Sequence, residues 1–564
     1  MSLTELQGAI VDPPCQVAII GMGPAGGLTG RLLAEAGLEV TGLEVGPWRD
    51  VHTFSSNEWE MRKLWWPEWE YRLTGSAPRG RVNSGLGVGG GGLVWTGAAW
   101  RLFPHDFRVR SEEGDIPGAL LADWPLSYDQ LAPYYTAVEQ HIGVAGVRGP
   151  FDPPGLPPLP FPPHPYHRHT EILKEGFERL GLRTQPGSVA ILPESWRGRE
   201  ACTGCGYCIQ GCHNGAMYSS LAELPAAFAS GHFRLRTRVQ VTRLLLDASG
   251  RRVEALALVD LATGERHLCP VEAVVVAANP IETARLLLAS THPRHPLGLA
   301  NQSGLVGRCL TVHPGPHVWG VFPEIVEPEA GFVLNHLACF EFSKATDSDP
   351  YRRGFILESL TGLPVGVATG PLAALWGKPL MAAMRRYRYM AGLFVLCEGL
   401  PQRQNGVYLL DSAPDPFRLP PLRVHYDWHP NDLAMIARAQ EVACAVLNAA
   451  GATTLYRQTP VQVHMMGTAR MGRDPVDSVA DSTGRTHTVE NLYLAGGSLF
   501  PTGSSVNPTL TILALAWRTA EIIVQSAGLN PENLPGAWPT LANALTASAH
   551  CRSDGKDSSQ LLER

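Results

Sequence analysis

The chain has 564 residues, 45% of them hydrophobic and 17% charged, a globular composition too long for one core, so about two domains are expected. Its 46 basic and 52 acidic residues give a net charge of −6 with no basic cluster dense enough to track a phosphate backbone, which argues against nucleic acid as a partner. The most apolar long stretch, 365–384, contains Pro371, Lys378 and Pro379 and does not read as a membrane span.

The first residues, MSLTELQGAIVD, show no basic region followed by an apolar stretch and a small-residue cleavage site. That pattern predicts a cytoplasmic chain, or one on the periplasmic side of the membrane if it is exported with a signal-bearing partner.

Residues 16–20 (QVAII) read as a buried strand, followed by a glycine turn that opens into a helix and by a second strand over 39–44. Gly21, Gly23 and Gly26 form G-x-G-x-x-G, with Glu44 lying 23 positions after Gly21. Glycine there permits a tight turn, close approach of backbone to pyrophosphate and close helix packing. The acid suits ribose hydroxyls and disfavours a 2′-phosphate, so FAD or NAD is expected over NADP.

Residues 81–107 are glycine-rich and then aromatic, and 149–165 are so dense in proline that an extended connector is expected. Cys202, Cys205, Cys208 and Cys212 follow in C-x-x-C-x-x-C-x-x-x-C, the spacing of bacterial ferredoxin loops, with His213 where a proline normally follows the last cysteine. A structural zinc site, or no metal, stays open beside an iron–sulfur cluster. Residues 233–278 alternate as a meander with turns at 249–250 and 263–264, and a helix follows over 280–289. Residues 315–460 carry no cofactor motif and read as a substrate-facing domain with a helix over 431–450. The last ordered unit, 491–526, runs from strand to long apolar helix, and the tail after about residue 545 is polar.

HMMGTARMG (464–472), DPVDSVADSTGRTH (474–487) and NLYLAGGSLFPTGSSVNPTLTILALA (491–516) occur in order. With VGGGGLVWTGAAWR (88–101), VVVAANPIETARLLLAS (274–290) and GLVGRCLTVHP (304–314), they resemble the glucose-methanol-choline (GMC) oxidoreductases over most of residues 14–525. WRLFPHDF, DWPLSYDQLAPYY and CIQGCHNGAMY look more narrowly like the large subunits of bacterial FAD-dependent glucose, fructose and gluconate dehydrogenases.

The resemblance implies an α/β fold in which a Rossmann-like FAD-binding domain (14–150, 231–314, 461–526) is interleaved with a connector and cysteine segment (151–230) and an α+β substrate-binding domain (315–460), with a flexible tail at 545–564. It implies FAD as hydride acceptor from an alcohol, likened here to a sugar or polyol. His464 matches the family's catalytic histidine and Asn507 its second position. Histidine is basic near neutral pH, whereas asparagine donates a hydrogen bond without exchanging protons. His313 and His487 are expected to be structural.

No histidine lies within 89–97, so FAD is expected to be non-covalent; His105, the nearest, falls in a segment like that of a non-covalent subgroup. Gly89, Gly90, Gly91, Trp95, Val241, Gly496, Gly497, Asn507 and Thr509 are further candidates for the FAD site. The resembling enzymes use three cysteines for a three-iron cluster, matching Cys202, Cys208 and Cys212; Cys205 would extend this to four irons. A small subunit and a cytochrome acceptor are the implied partners. An oxygen-using oxidase without a cluster, or a non-redox lyase or binder on the same scaffold, remains the alternative.

Overall fold

The computed structural model describes residues 9–66, 71–77 and 84–530. The tail expected after residue 545, and the first residues of the glycine-rich segment, lie outside these.

Five parallel strands are ordered Phe233–Thr237, Val40–Glu44, Cys15–Ile20, Arg266–Val276 and Leu492–Leu494. Val17 to Ile19 and Val274 to Val276 are buried throughout, in one apolar cluster with the helix Pro24–Glu35 and with strands of an antiparallel meander, which is why they read as unbroken apolar runs. The helix Pro24–Glu35 packs on this sheet, and Thr509–Ser526 packs on that helix and on Tyr128–Ile142. The first half of Arg266–Val276 turns away into an antiparallel meander with Val253–Asp260 and Val239–Leu246. Its tight turns place Gly250 and Gly264 at positive φ, as the sequence led one to expect.

The strand order reverses beside Cys15–Ile20, the position at which open α/β sheets leave a crevice outside their carboxyl ends. A six-stranded antiparallel sheet runs Thr454–Arg457, Val318–Val321, Met390–Cys397, Phe355–Leu360, Leu334–Cys339 and Gln185–Pro186. Its apolar face is closed by the helices Arg168–Arg179 and Pro430–Ala449. The latter starts at a capping box between His429 and Asp432, with proline at its first turn. The proline-rich segment 149–165 joins these layers without a helix or named strand.

A five-stranded sheet, Val461–Thr468, Arg308–Gly315, Gly406–Leu409, Leu422–His425 and Tyr71–Thr74, is interleaved in sequence with the other two and carries His313 and His464. The architecture is therefore the expected α/β sheet interleaved with an α+β layer.

Candidate active site

One cavity of about 540 Å³ lies at the carboxyl ends of the parallel strands. Its walls include Ile20 and Gly21, Leu43 and Glu44, Ala277 and Ala278, and Gly496 and Gly497, the residues that end four of those strands. Gly23, Gly90, Gly91, Trp95, Val241, Asn507 and Thr509 line it as well. Gly26 and Gly89 do not. A Cβ on Gly26 would meet the Gly21 oxygen at 1.9 Å, so this glycine lets the helix sit against the turn; Gly21 itself has φ +92°. Gly89 N–H donates to the Met22 carbonyl at 3.0 Å, fixing the second glycine stretch to the first.

The helices Pro24–Glu35 and Thr509–Ser526 both begin at this cavity without a side-chain cap. Among the described residues no lysine or arginine lines it. A bound anion would meet backbone N–H groups and two helix N-termini, which is how Rossmann-like folds receive pyrophosphate. Glu44 accepts from Met22 N–H at 2.9 Å and Gly46 N–H at 2.8 Å, one on each oxygen, while burial raises its pKa against these bonds. The carboxyl is thereby held in place with lone pairs left for a ribose hydroxyl. Glycine cradle, oriented acid and helix termini fit FAD.

At the other end stand His464 and Asn507. The pairing of Arg308–Gly315 with Val461–Thr468 slips between Thr311↔Met466 and His313↔Val463, so His464 and Met465 bulge opposite Val312. His464 sits at φ +58°, a backbone state a histidine adopts only when its surroundings impose it. The bulge turns its ring into the cavity wall.

His313 Nδ1 lies 2.9 Å from His464 Nδ1, and His313 Nε2 lies 3.2 Å from the Gly503 carbonyl. The carbonyl can only accept, so His313 carries its proton on Nε2. Its bare Nδ1 then accepts a hydrogen bond from His464 Nδ1–H, which leaves His464 Nε2 with a free lone pair. Burial holds His313 down to about 4, and burial followed by the neighbouring His313 holds His464 well below the ordinary histidine value. Both rings are neutral near pH 7.

Asn507 precedes the helix Thr509–Ser526 on a loop anchored by buried charge. Ser504, at φ +59°, donates to Asp106 Oδ2 at 2.7 Å; Arg353 donates to Asp106 Oδ1 at 2.7 Å and to Glu398 Oε2 at 2.9 Å. Trp124 Nε1–H donates to Thr502 at 3.1 Å. Asn507 is buried, yet neither its Oδ1 nor its Nδ2 has a hydrogen-bond partner, a costly state in the absence of a ligand.

His317, Leu334, Phe394, Gln458 and Val463 close the cavity around this end. His317 Nδ1 accepts Val395 N–H at 3.2 Å and its ring stacks on Phe394 at 4.0 Å, so its proton is on Nε2. Most of these groups come from residues 315–460.

The four clustered cysteines are free thiols around a separate space of about 10 Å³, room for roughly one water. Among the described residues no three His, Cys, Asp or Glu side chains converge as for a single metal ion. Backbone N–H groups are aimed at the sulfurs: Gly204 at Cys202 and Met217 at Cys212, each at 3.4 Å. Burial raises the pKa of Cys202, Cys208 and Cys212. Trp95 shares an apolar cluster with Cys202, Cys208 and Cys212 while lining the large cavity, and its Nε1–H donates to the Tyr218 carbonyl at 2.8 Å. Ile209, inside the cysteine segment, lines that cavity directly.

His313, expected to be structural, is placed in hydrogen-bond contact with His464. The HP dipeptide gave no sign of this, because the contact depends on a bulge in the partner strand. His487 donates or accepts at Ser478 Oγ, 2.8 Å away, and His105 stacks on Phe103; neither lines the cavity. Glu358 was missed outright: it is fully buried beside Asn507, inside FILESL, where an acid in an apolar strand was its only signal.

Two family models, the N- and C-terminal parts of GMC oxidoreductase, match residues 73–315 and 401–516. The chain is 33% identical to a 2-methyl-1,2-propanediol dehydrogenase of Mycolicibacterium austroafricanum, over 90% of this chain and 94% of that protein. It is 29% identical to a fructose dehydrogenase large subunit of Gluconobacter japonicus (90% and 97% covered) and 30% identical to a paromamine 6'-oxidase of Streptomyces fradiae (91% and 92%). Among solved structures, a formate oxidase superposes with a TM-score of 0.67 at 16% identity, covering 92% of this chain and 100% of that one. A pyridoxine 4-oxidase from Mesorbium loti gives 0.64 at 17%, covering 91% and 99%.

Proposed function

Because the chain belongs to the GMC oxidoreductases, FAD-dependent enzymes of alcohols and sugars, we propose that it is a dehydrogenase of a sugar, polyol or diol CH–OH group. His464 is its general base, Asn507 orients the alcohol oxygen, and Cys202, Cys208 and Cys212, with or without Cys205, hold an iron–sulfur cluster. One observation supports this most directly. A single cavity has the glycine cradle at one end and, at the other, the His464 imidazole, bonded to protein through Nδ1, and the Asn507 amide, neither end of which has a protein hydrogen bond of ordinary length.

FAD, when bound, supplies the hydride acceptor. The alcohol oxygen accepts a hydrogen bond from Asn507 Nδ2 while its proton passes to His464 Nε2. Removing that proton raises electron density on the carbinol carbon and weakens its C–H bond. His313 keeps the receiving nitrogen bare beforehand. Phe394 and Leu334 exclude water, so these few polar groups act in a medium of low dielectric constant.

What supports the cluster reading is the donor set alone, four thiols in one short segment with amide N–H groups aimed at two of them. A cluster supplies a one-electron carrier, and the loop that would hold it borders the flavin cavity at Ile209 and Trp95. A relative named as a large subunit favours a partner subunit, and a small subunit and a cytochrome acceptor are part of this proposal.

Anaerobic purification with iron and acid-labile sulfide analysis, followed by mixing with 2-methyl-1,2-propanediol or D-fructose, tests the reading. Flavin bleaching, bound iron and sulfide, and little peroxide on admitting air are expected. Flavin without iron or sulfide, with stoichiometric peroxide, overturns the cluster and the dehydrogenase assignment together. Flavin that no alcohol bleaches overturns alcohol oxidation.

A further inference from the structure

Beside Asn507 lies a carboxyl that the mechanism above does not use. Glu358 stands in the strand Phe355–Leu360, directly across from Phe394, which lines the cavity. Its Oε1 accepts Trp100 Nε1–H at 3.0 Å. With the Asn335 amide oriented to satisfy both neighbours, Asn335 donates to the same Oε1 at 3.2 Å and accepts from Trp100 at 3.1 Å. No hydrogen bond of ordinary length reaches Glu358 Oε2 or either end of the Asn507 amide, although the two side chains lie close enough to interact with each other.

Three such polar atoms in a dry pocket are unfavourable, and one proton resolves them. We propose that Glu358 is a positioning residue whose proton, carried on Oε2 and donated to Asn507 Oδ1, holds the Asn507 N–H groups toward the alcohol oxygen. The ionised carboxylate can only accept. It would take Asn507 Nδ2–H and turn Oδ1 toward the substrate, where a lone pair opposes an oxygen that is gaining negative charge. Oxidation then requires Glu358 protonated and His464 neutral.

The groups facing Glu358 are Trp100, Asn335, Phe394 and Asn507, none of which titrates, and no ionised side chain contributes to its ionisation. Burial pushes the carboxyl up to about 7, with Trp100 and Asn507 opposing that rise. The proton is therefore retained at neutral pH by a large fraction of molecules and lost above it.

This inference rests on the alcohol-oxidising reading. Anaerobic stopped-flow bleaching with 2-methyl-1,2-propanediol or D-fructose, from pH 5.5 to 9.5, tests both. In the unsubstituted protein the bleaching rate should fall roughly tenfold per pH unit on the alkaline side. Glu358→Gln keeps a donor for Asn507 Oδ1 at every pH and should lose that alkaline limb, becoming faster than the unsubstituted protein at pH 9. Trp100→Phe removes an N–H that favours the charged form and should move the limb to higher pH, giving an answer even where Glu358→Gln does not fold. Limbs that coincide in all the proteins overturn the role of Glu358 and leave alcohol oxidation standing. Absence of bleaching at every pH overturns both.

Discussion

His313 Nδ1 and His464 Nδ1 lie 2.9 Å apart, and the Gly503 carbonyl on the far side of His313 decides which of the two carries the shared proton. Removing the base and removing its orienter should therefore differ in degree. His464→Ala should lower kcat by about 10² to 10⁴, the usual worth of a positioned general base. His313→Gln can donate or accept and no longer imposes the tautomer, so kcat should fall about tenfold, roughly 1.4 kcal/mol, with KM little changed. Steady-state kinetics on protein of equal flavin content decides. An equal loss in both variants would mean that His313 itself exchanges a proton with substrate.

Acid should destabilise the fold before it removes any carboxylate pair. Burial holds His169 and His313 down to about 4 and His317 to about 3, all against an ordinary value near 6.5. Between those values the unfolded chain binds protons that the native chain does not, so stability rises with pH and is lost as pH falls from about 6.5 toward 4. Each such histidine contributes about 1.4 kcal/mol per pH unit in that window. Thermal unfolding from pH 7.5 to 4.5 should show a steep fall below 6, lessened in His169→Asn. A flat profile would contradict neutral burial of these rings.

Gly26→Ala should cost the cofactor. The added methyl would meet the Gly21 oxygen at 1.9 Å, and Gly21, at φ +92° with Ala278 backbone 3.0 Å from its own would-be Cβ, cannot yield. The helix Pro24–Glu35 must move away and take its uncapped N-terminus out of register with the cavity. Flavin retained after gel filtration, measured by absorbance, should fall to a small fraction of the unsubstituted protein. Stoichiometric flavin in this variant would show that the turn does not hold the pyrophosphate.

The dinucleotide end of this site was legible because its requirements are local. Gly21, Gly23 and Glu44 act through one strand, one turn and the next strand, and all three line the cavity. His464 and Asn507 were legible only through the motifs around them, yet both reach the same cavity. His313 and Glu358 were not legible. Each acquires its role from a partner more than a hundred residues away, across a bulged pairing in one case and beside a loop in the other. Hydrophobic patterning marks such positions as core and is silent on which polar atom will be left facing another. Trp95 illustrates the same point, since it lines the cavity as a candidate for the FAD site and also packs in the apolar cluster of the cysteines, which the sequence does not mark.

Cys205 and Cys208 should respond differently to replacement. Cys208 is buried in the apolar cluster shared with Trp95, and its thiol is pushed up by that burial, so a thiolate there needs positive charge from a bound core. Cys205 is more exposed, lies 4.0 Å from His213 Nδ1 and pairs its backbone with Gly331 at the edge of the loop. Cys208→Ser should abolish iron and sulfide binding while leaving anaerobic flavin bleaching by alcohol intact, because the hydride acceptor lies in the other cavity. Turnover with one-electron acceptors should then fall far more than bleaching does. Cys205→Ser should retain iron at the content of a three-iron cluster, with electron paramagnetic resonance of the oxidised protein identifying the type. Full loss of iron in Cys205→Ser would make all four thiolates ligands of one core. Iron retained in Cys208→Ser would place the metal elsewhere in the chain.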